Sequence, residues 1–204
     1  MQKSVYLFLC SLIILLSNCT QKDTKQDVLS KIKEIDRLHT IAKNNINDST
    51  LIYIARAEKI IHNNKNLPDT LYIENIFRKG YYYEQTKQLD SASYYFHEVI
   101  NLIKLPRKRN ITYFRRAWEV DFFNKRYANA VNIAEKFINV SDENQYAGDL
   151  SYAYNLLGRV NSKLGDYEKT LMYNDKVLDL TKKASKIDFY TTTAVDRAFL
   201  LYRN

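Results

Sequence analysis

The sequence predicts an all-α fold, a solenoid of antiparallel helical hairpins stacked in chain order. Three observations carry that reading. Of 204 residues only 4 are glycine and 2 are proline, against an average usage near ~12% for the two together. That scarcity argues against folds built on many tight turns and against glycine-rich phosphate loops. Apolar residues recur with a period near 3.6 throughout the chain after residue 27, and no window alternates with period 2. Two series of markers then share one register. Gly80, Trp118 and Gly158 lie 38 and 40 residues apart, as do Ala92, Ala130 and Thr170. Such a register is what tandem hairpins give, because each buries its mixed face only by stacking on the next.

The elements follow in order. Residues 1–18 read as an export signal: Lys3 precedes a run from Val5 to Leu16, 12 residues interrupted by one serine. A charged start and a short apolar stretch suit a signal peptide, and the stretch is short for a membrane span. Residues 19–27 read as a polar tether, since 20–27 contain no apolar side chain. A repeat domain then covers 28–204. Its first unit, 28–67, contains Leu51-Ile54-Ala55-Ile61 as the stripe of a second helix, with Asp48-Ser49-Thr50 placed to cap it. In the unit 70–105, Tyr72 to Tyr83 forms a first helix, and Ala92, Tyr95, Phe96, Val99, Ile100 and Ile103 make one continuous face of a second. The unit 111–140 repeats this with Phe114-Trp118-Phe122 and with Tyr127, Ala130, Ile133, Ala134, Phe137 and Ile138. The unit 146–183 pairs Leu150 to Leu164 with a stripe from Tyr167 to Leu178 that Asn174 interrupts. A partial unit, 187–204, offers a further first helix with no partner, and Ala198 lies 40 after Gly158. Two readings of that open end stand: self-association there, or a longer repeat protein of which this chain is part. The second is favoured.

Two resemblances sharpen the picture. Leu16-Ser17-Asn18-Cys19 resembles a bacterial lipobox of the looser Bacteroidota type. The resemblance implies cleavage before Cys19 and acylation of its thiol and new amino group. Several acyl chains anchor stably where one does not. Thr20 in place of aspartate removes that family's inner-membrane retention signal, so the expected location is the outer membrane, periplasmic or surface-facing. The processed chain would keep no free thiol, which excludes a disulfide or a cysteine metal site. Secondly, Ala153-Tyr154-Asn155-Leu156-Leu157-Gly158 followed by Gly165-Asp166-Tyr167 and Thr170 is similar to a tetratricopeptide repeat. That family's period is ~34, so units of 38 and 40 make this a degenerate version. The likeness covers roughly 70–204 and more loosely 28–67.

No catalytic constellation is present in the sequence. His39, His62 and His97 stand apart from one another, without metal-ligand spacing, and are expected on helix surfaces. No cofactor or metal is implied and the chain is expected not to be an enzyme. The formal net charge of +8 is concentrated: between residues 104 and 126, eight cations face only Glu119 and Asp121. They are Lys104, Arg107, Lys108, Arg109, Arg115, Arg116, Lys125 and Arg126. They offer a candidate anion-binding patch, weighed against scattered, solvated helix charges, which is the favoured reading. Nucleic acid is disfavoured for an exported chain. The tetratricopeptide resemblance implies that first helices line a partner groove. Counting from the matched glycines, its candidates are Phe77, Tyr81, Glu84, Arg115, Glu119, Phe122, Asn155, Arg159 and Lys163, of which the seven other than Phe77 and Phe122 are taken as the partner-binding set. The expected function is a non-enzymatic, lipid-anchored scaffold that binds another protein or peptide at the bacterial cell envelope. The alternative is the sensory input part of a longer signalling regulator, such as a sensor histidine kinase or a LuxR-like transcription factor.

Overall fold

The computed structural model describes residues 25–104, 110–141 and 143–183. The regular structure among them is helical: α1 (25–44), α2 (Thr50–His62), α3 (Asp69–Gln85), α4 (Leu89–Leu102), α5 (Asn110–Phe123), α6 (Tyr127–Asn139), α7 (Glu143–Leu164) and α8 (Tyr167–Lys183). The helices follow one another as the predicted hairpins do. The signal with Cys19, residues 107–109 of the basic stretch, and the partial unit 187–204 lie outside the described residues. The tether was expected through residue 27, but α1 already includes residue 25. Ser30 donates to the Asp27 carbonyl at 2.7 Å, and Lys31 pairs with the Asp27 carboxylate one turn away. Polar composition reads as tether in sequence, yet an (i, i+4) acid–base pair of this order supports a helix.

By their contacts the residues form two compact units, one ending at Arg78 and the other beginning at Lys79. In the first, Ile35, Leu38 and Ala57 make a small core, covered by Tyr53, Ile60, Ile61, Leu67 and Leu71. The buried stripe of α2 is Ile54 and Ala57 rather than Ala55, which is exposed. The expected cap is also different. Ser49 precedes α2 without a side-chain capping bond. Asn47 Oδ1 instead accepts the Ser49 amide at 2.9 Å, and the buried Thr50 hydroxyl donates to the Asn45 carbonyl at 2.7 Å. An Asx turn competes with the N-cap for the same short side chains. His39 is buried, not on a surface, with Nε2 2.9 Å from Asn75 Oδ1. Burial lowers its pKa, while the Asn75 hydrogen bond opposes that shift.

The second unit shows how the 38- and 40-residue spacing is built. Its three hairpin turns are closed by the same main-chain bonds. The amides of Gln88, Arg126 and Asp166 donate to the carbonyls of Tyr83, Asp121 and Asn161 at 2.8, 2.8 and 2.9 Å. One residue earlier, the amides of Lys87, Lys125 and Gly165 donate to Glu84, Phe122 and Ser162. These are Schellman closures, which need a left-handed residue just past the helix. Lys87, Lys125 and Gly165 supply it, with φ of 62°, 61° and 79°.

Packing follows the same register. A Cβ on Gly80 would lie 2.7 Å from the fully buried Phe96 ring, so the glycine is what lets α4 seat there. Gly158 stands likewise against α8, where Asn174 Oδ1 would lie 3.2 Å from its Cβ. Asn174, an interruption in the apolar stripe, therefore fills the place that Phe96 fills two hairpins earlier in register. In the middle hairpin the sizes are exchanged: Trp118 occupies the first-helix place and Ala134 the second-helix place, both fully buried. Phe114 stacks on Phe137 with centroids 4.5 Å apart, joining α5 to α6. Burying side chains such as Phe96, Val99 and Ile133 contributes ~1.5–3 kcal/mol each.

A buried polar pin adds to this. Asp121 on α5 is fully buried. Its Oδ1 accepts from Ser93 of α4 at 2.8 Å, and its Oδ2 lies 2.7 Å from His97 Nε2. Arg126 adds a cation 3.6 Å from Oδ1 and also pairs with Asp90. His97, expected on a free surface, is thus tied to the neighbouring hairpin. His62 is exposed as expected, its ring edge-on to Tyr72 at 5.7 Å.

Candidate partner-binding surface

Within the second unit the end of α3 (79–85), α5 and α7, first helices of successive hairpins, bring most of the expected groove residues together. Arg116 is the hub. Its Nη1 lies 3.3 Å from Glu84 of α3 and 3.5 Å from Glu119 of its own helix. Its guanidinium also stands 5.8 Å from the Tyr81 ring centroid. Arg115 reaches Glu119 from one turn away at 3.7 Å. On α7, Arg159 is exposed, and its guanidinium lies 4.8 Å from the Trp118 centroid and 5.5 Å from that of Phe122. Trp118 and Phe122 are themselves stacked at 4.2 Å. Such a cation over an indole face gains ~0.5–2 kcal/mol and holds the guanidinium flat.

The electrostatics are not those of a solvated surface. Burial pushes the Glu84 carboxyl above the ordinary glutamate value; Arg116 opposes this and Glu119 adds to it. Glu84 Oε2 is buried and makes no hydrogen bond among the described residues. Tyr152, on the same face of α7, is raised by burial first and by Glu119 second. Its coupling to Glu119, Arg115 and Arg159 places it within the same surface.

Five of the seven expected residues, Tyr81, Glu84, Arg115, Glu119 and Arg159, are therefore joined in one charged and aromatic surface. Asn155 and Lys163 flank Arg159 one turn away on either side of α7, half-buried and exposed respectively. Phe77 is buried in the unit that ends at Arg78, and Phe122 is buried beneath Arg159. Arg116 and Tyr152 were missing from the expected groove. Arg116 stands three residues before Glu119, and Tyr152 two helical turns before Arg159; helical counting from those two residues reaches both.

The basic stretch is dealt out to separate places. Arg115 and Arg116 serve the α3/α5/α7 surface, Arg126 crosses to Asp90 and Asp121, Lys125 tops a hairpin turn, and Lys104 is exposed after α4. Arg107, Lys108 and Arg109 lie outside the described residues. Among the described residues there is no group of three His, Cys, Asp or Glu able to hold a metal ion. No described helix is long and apolar enough to cross a membrane.

No protein-family model and no curated protein sequence matches the chain. Among solved structures it is similar to the apo form of RapI, with a TM-score of 0.59 and 15% identity over 86% of this chain and 62% of RapI. It also aligns with BtubC from P. vanneervenii at a TM-score of 0.47 and 9% identity, over 88% and 91% of the two chains. The chain thus spans about three fifths of RapI. At such identity the RapI likeness bears on architecture alone, and the architecture is a helical-repeat fold.

Proposed function

We propose that this chain is a non-enzymatic, tetratricopeptide-like scaffold, anchored by lipid at Cys19 to the bacterial cell envelope, that holds a protein partner on the α3/α5/α7 surface. The observation that carries the reading is the convergence of Tyr81, Glu84, Arg116, Glu119 and Arg159 from three successive hairpins. A surface built by several repeats at once suits an extended partner, because each hairpin supplies one step of a longer contact. Arg and Tyr side chains, rigid or pre-oriented and only partly exposed, are also the types that dominate interface energies. RapI, whose fold is of the same helical-repeat kind, supports a scaffold as the coarse role.

Photo-crosslinking in intact cells tests this. A photoreactive residue at Asn155 should give discrete protein adducts, while one at the exposed Asn132 of α6 should give none. Equal adducts from both positions would overturn the assignment of the surface. Palmitate labelling of the wild type and Cys19→Ala addresses the anchor separately; equal incorporation would refute lipidation and leave the crosslinking result standing.

A further inference from the structure

The three hairpin turns of the second unit close by identical bonds at the same end of successive hairpins, and Arg126 bridges the second turn to Asp90 at the first. Their side chains make a second surface, which meets the proposed partner surface only at Lys163. Phe123 ends α5 with 69% of its surface exposed, Leu164 ends α7 at 55%, and Tyr167 opens α8 at 45%. Each turn also raises a lysine: Lys87, Lys125 and Lys163, all exposed. None of the three has an ion pair among the described residues. Of the acids at these turns, Asp90 is held by Arg126 and Asp166 by Lys169, at 2.8 Å for the latter. Across 85–90, 123–128 and 163–169 there are five cations and three acids.

We propose that this turn edge is a membrane-contact surface that docks on anionic lipid headgroups, with Phe123 and Leu164 entering the interfacial region and Lys87, Lys125 and Lys163 meeting the headgroup charge. The arrangement favours a lipid surface over a protein. The exposed apolar side chains Phe123 and Leu164 belong to separate turns, and a fluid interface accepts such spaced groups where a protein partner would need a separate pocket for each. Lysine stems lie along the interface while their ammonium groups stay hydrated. Apolar insertion plus attraction to anionic lipid is the combination that gives stable peripheral binding. The inference does not rest on the proposed acylation, since the turns act through their own side chains.

The test reads depth and not bare association, because the apolar run Val5–Leu16 can itself hold the chain on vesicles. The full chain carrying Phe123→Trp is mixed with vesicles whose acyl chains are brominated, made of phosphatidylcholine alone or with phosphatidylglycerol. Trp118 is fully buried and gives a constant background. Leu102→Trp, at a site 38% exposed at the far end of α4 from the turn, roughly 20 Å along the helix, serves as the positional control. The expected result is quenching of Phe123→Trp on anionic vesicles only, with Leu102→Trp unquenched. Each of Lys87→Glu, Lys125→Glu and Lys163→Glu should weaken the docked state about fivefold. No quenching at position 123, or equal quenching at 102, overturns the proposal. So does a response of Phe123→Trp to soluble polyglutamate but not to vesicles, which would make the edge a site for acidic protein.

Discussion

Replacing Lys87 and Lys125 with glycine should stabilise the second unit, and replacing Gly165 with alanine should destabilise it. The three positions do one job, with φ of 62°, 61° and 79°, but only Gly165, which lacks a Cβ, is suited to it. An L-residue in the left-handed region costs ~1–2 kcal/mol. Glycine returns part of that gain, ~0.5–1 kcal/mol, through the extra freedom of the unfolded chain. The net is ~0.5–1 kcal/mol per site, positive for the lysine replacements and negative for Gly165→Ala. The two lysines lie in different hairpins, so Lys87→Gly/Lys125→Gly should gain about 1–2 kcal/mol by addition. Urea unfolding followed by tryptophan emission is the assay, since the single tryptophan, Trp118, sits in this unit. With a denaturant slope of ~1–3 kcal/mol/M, the double variant's midpoint should rise by roughly 0.5–1 M. Lys87→Ala, which removes the charge but keeps the Cβ, should leave the midpoint nearly unchanged. A lower midpoint in the glycine variants, or a higher one in Gly165→Ala, would refute the argument that backbone conformation sets the energy of these turns.

Three further outcomes are expected. Gly80→Ala should cost ~1–3 kcal/mol by overpacking against Phe96; in a double-mutant cycle with Phe96→Leu the two losses should fall short of additive, and strict additivity would remove the close contact as the cause. Asp121→Ala should cost ~3–5 kcal/mol, because Ser93 and Arg126 lose a buried acceptor; thermal melts of Asp121→Ala and Ser93→Ala, with the first much the larger loss, would bear this out. Because burial lowers the folded-state pKa of His39, the neutral ring's contribution is present above the unfolded value near ~6.5. It should be lost as pH falls from there through the lowered folded value. Arg78 works in the same direction, while the Asn75 bond, Glu74 and Asp36 oppose it. Circular-dichroism melts of the wild type and His39→Gln between pH 7 and 5 should show a flatter profile for the variant; parallel profiles would count against His39 as the source.

The helices and their register were legible because burial imposes a 3.6 period and stacking imposes a repeat. Five groove residues were legible for the same reason, since equivalent places in successive hairpins share a face. What escaped was polar and local. Lysine is no signal for positive φ, so the turns at Lys87 and Lys125 look like ordinary surface until the backbone is seen. In sequence, Asp121 counts only as one of two acids in a basic stretch. Its burial depends on Ser93 and His97, 28 and 24 residues away, and no local pattern encodes that pairing. Arg116 counted toward a patch because net charge ignores direction, whereas its helix position turns it to Glu84.

The turn closures have an evolutionary consequence. Thr86-Lys87-Gln88, Asn124-Lys125-Arg126 and Leu164-Gly165-Asp166 share only a lysine between the first two, yet all three close through the same pair of amides and carbonyls. A joint written in main-chain atoms places little selection on its letters. Duplicated hairpins can therefore drift apart in spelling while their geometry is inherited intact, and this chain already holds three dialects of one turn.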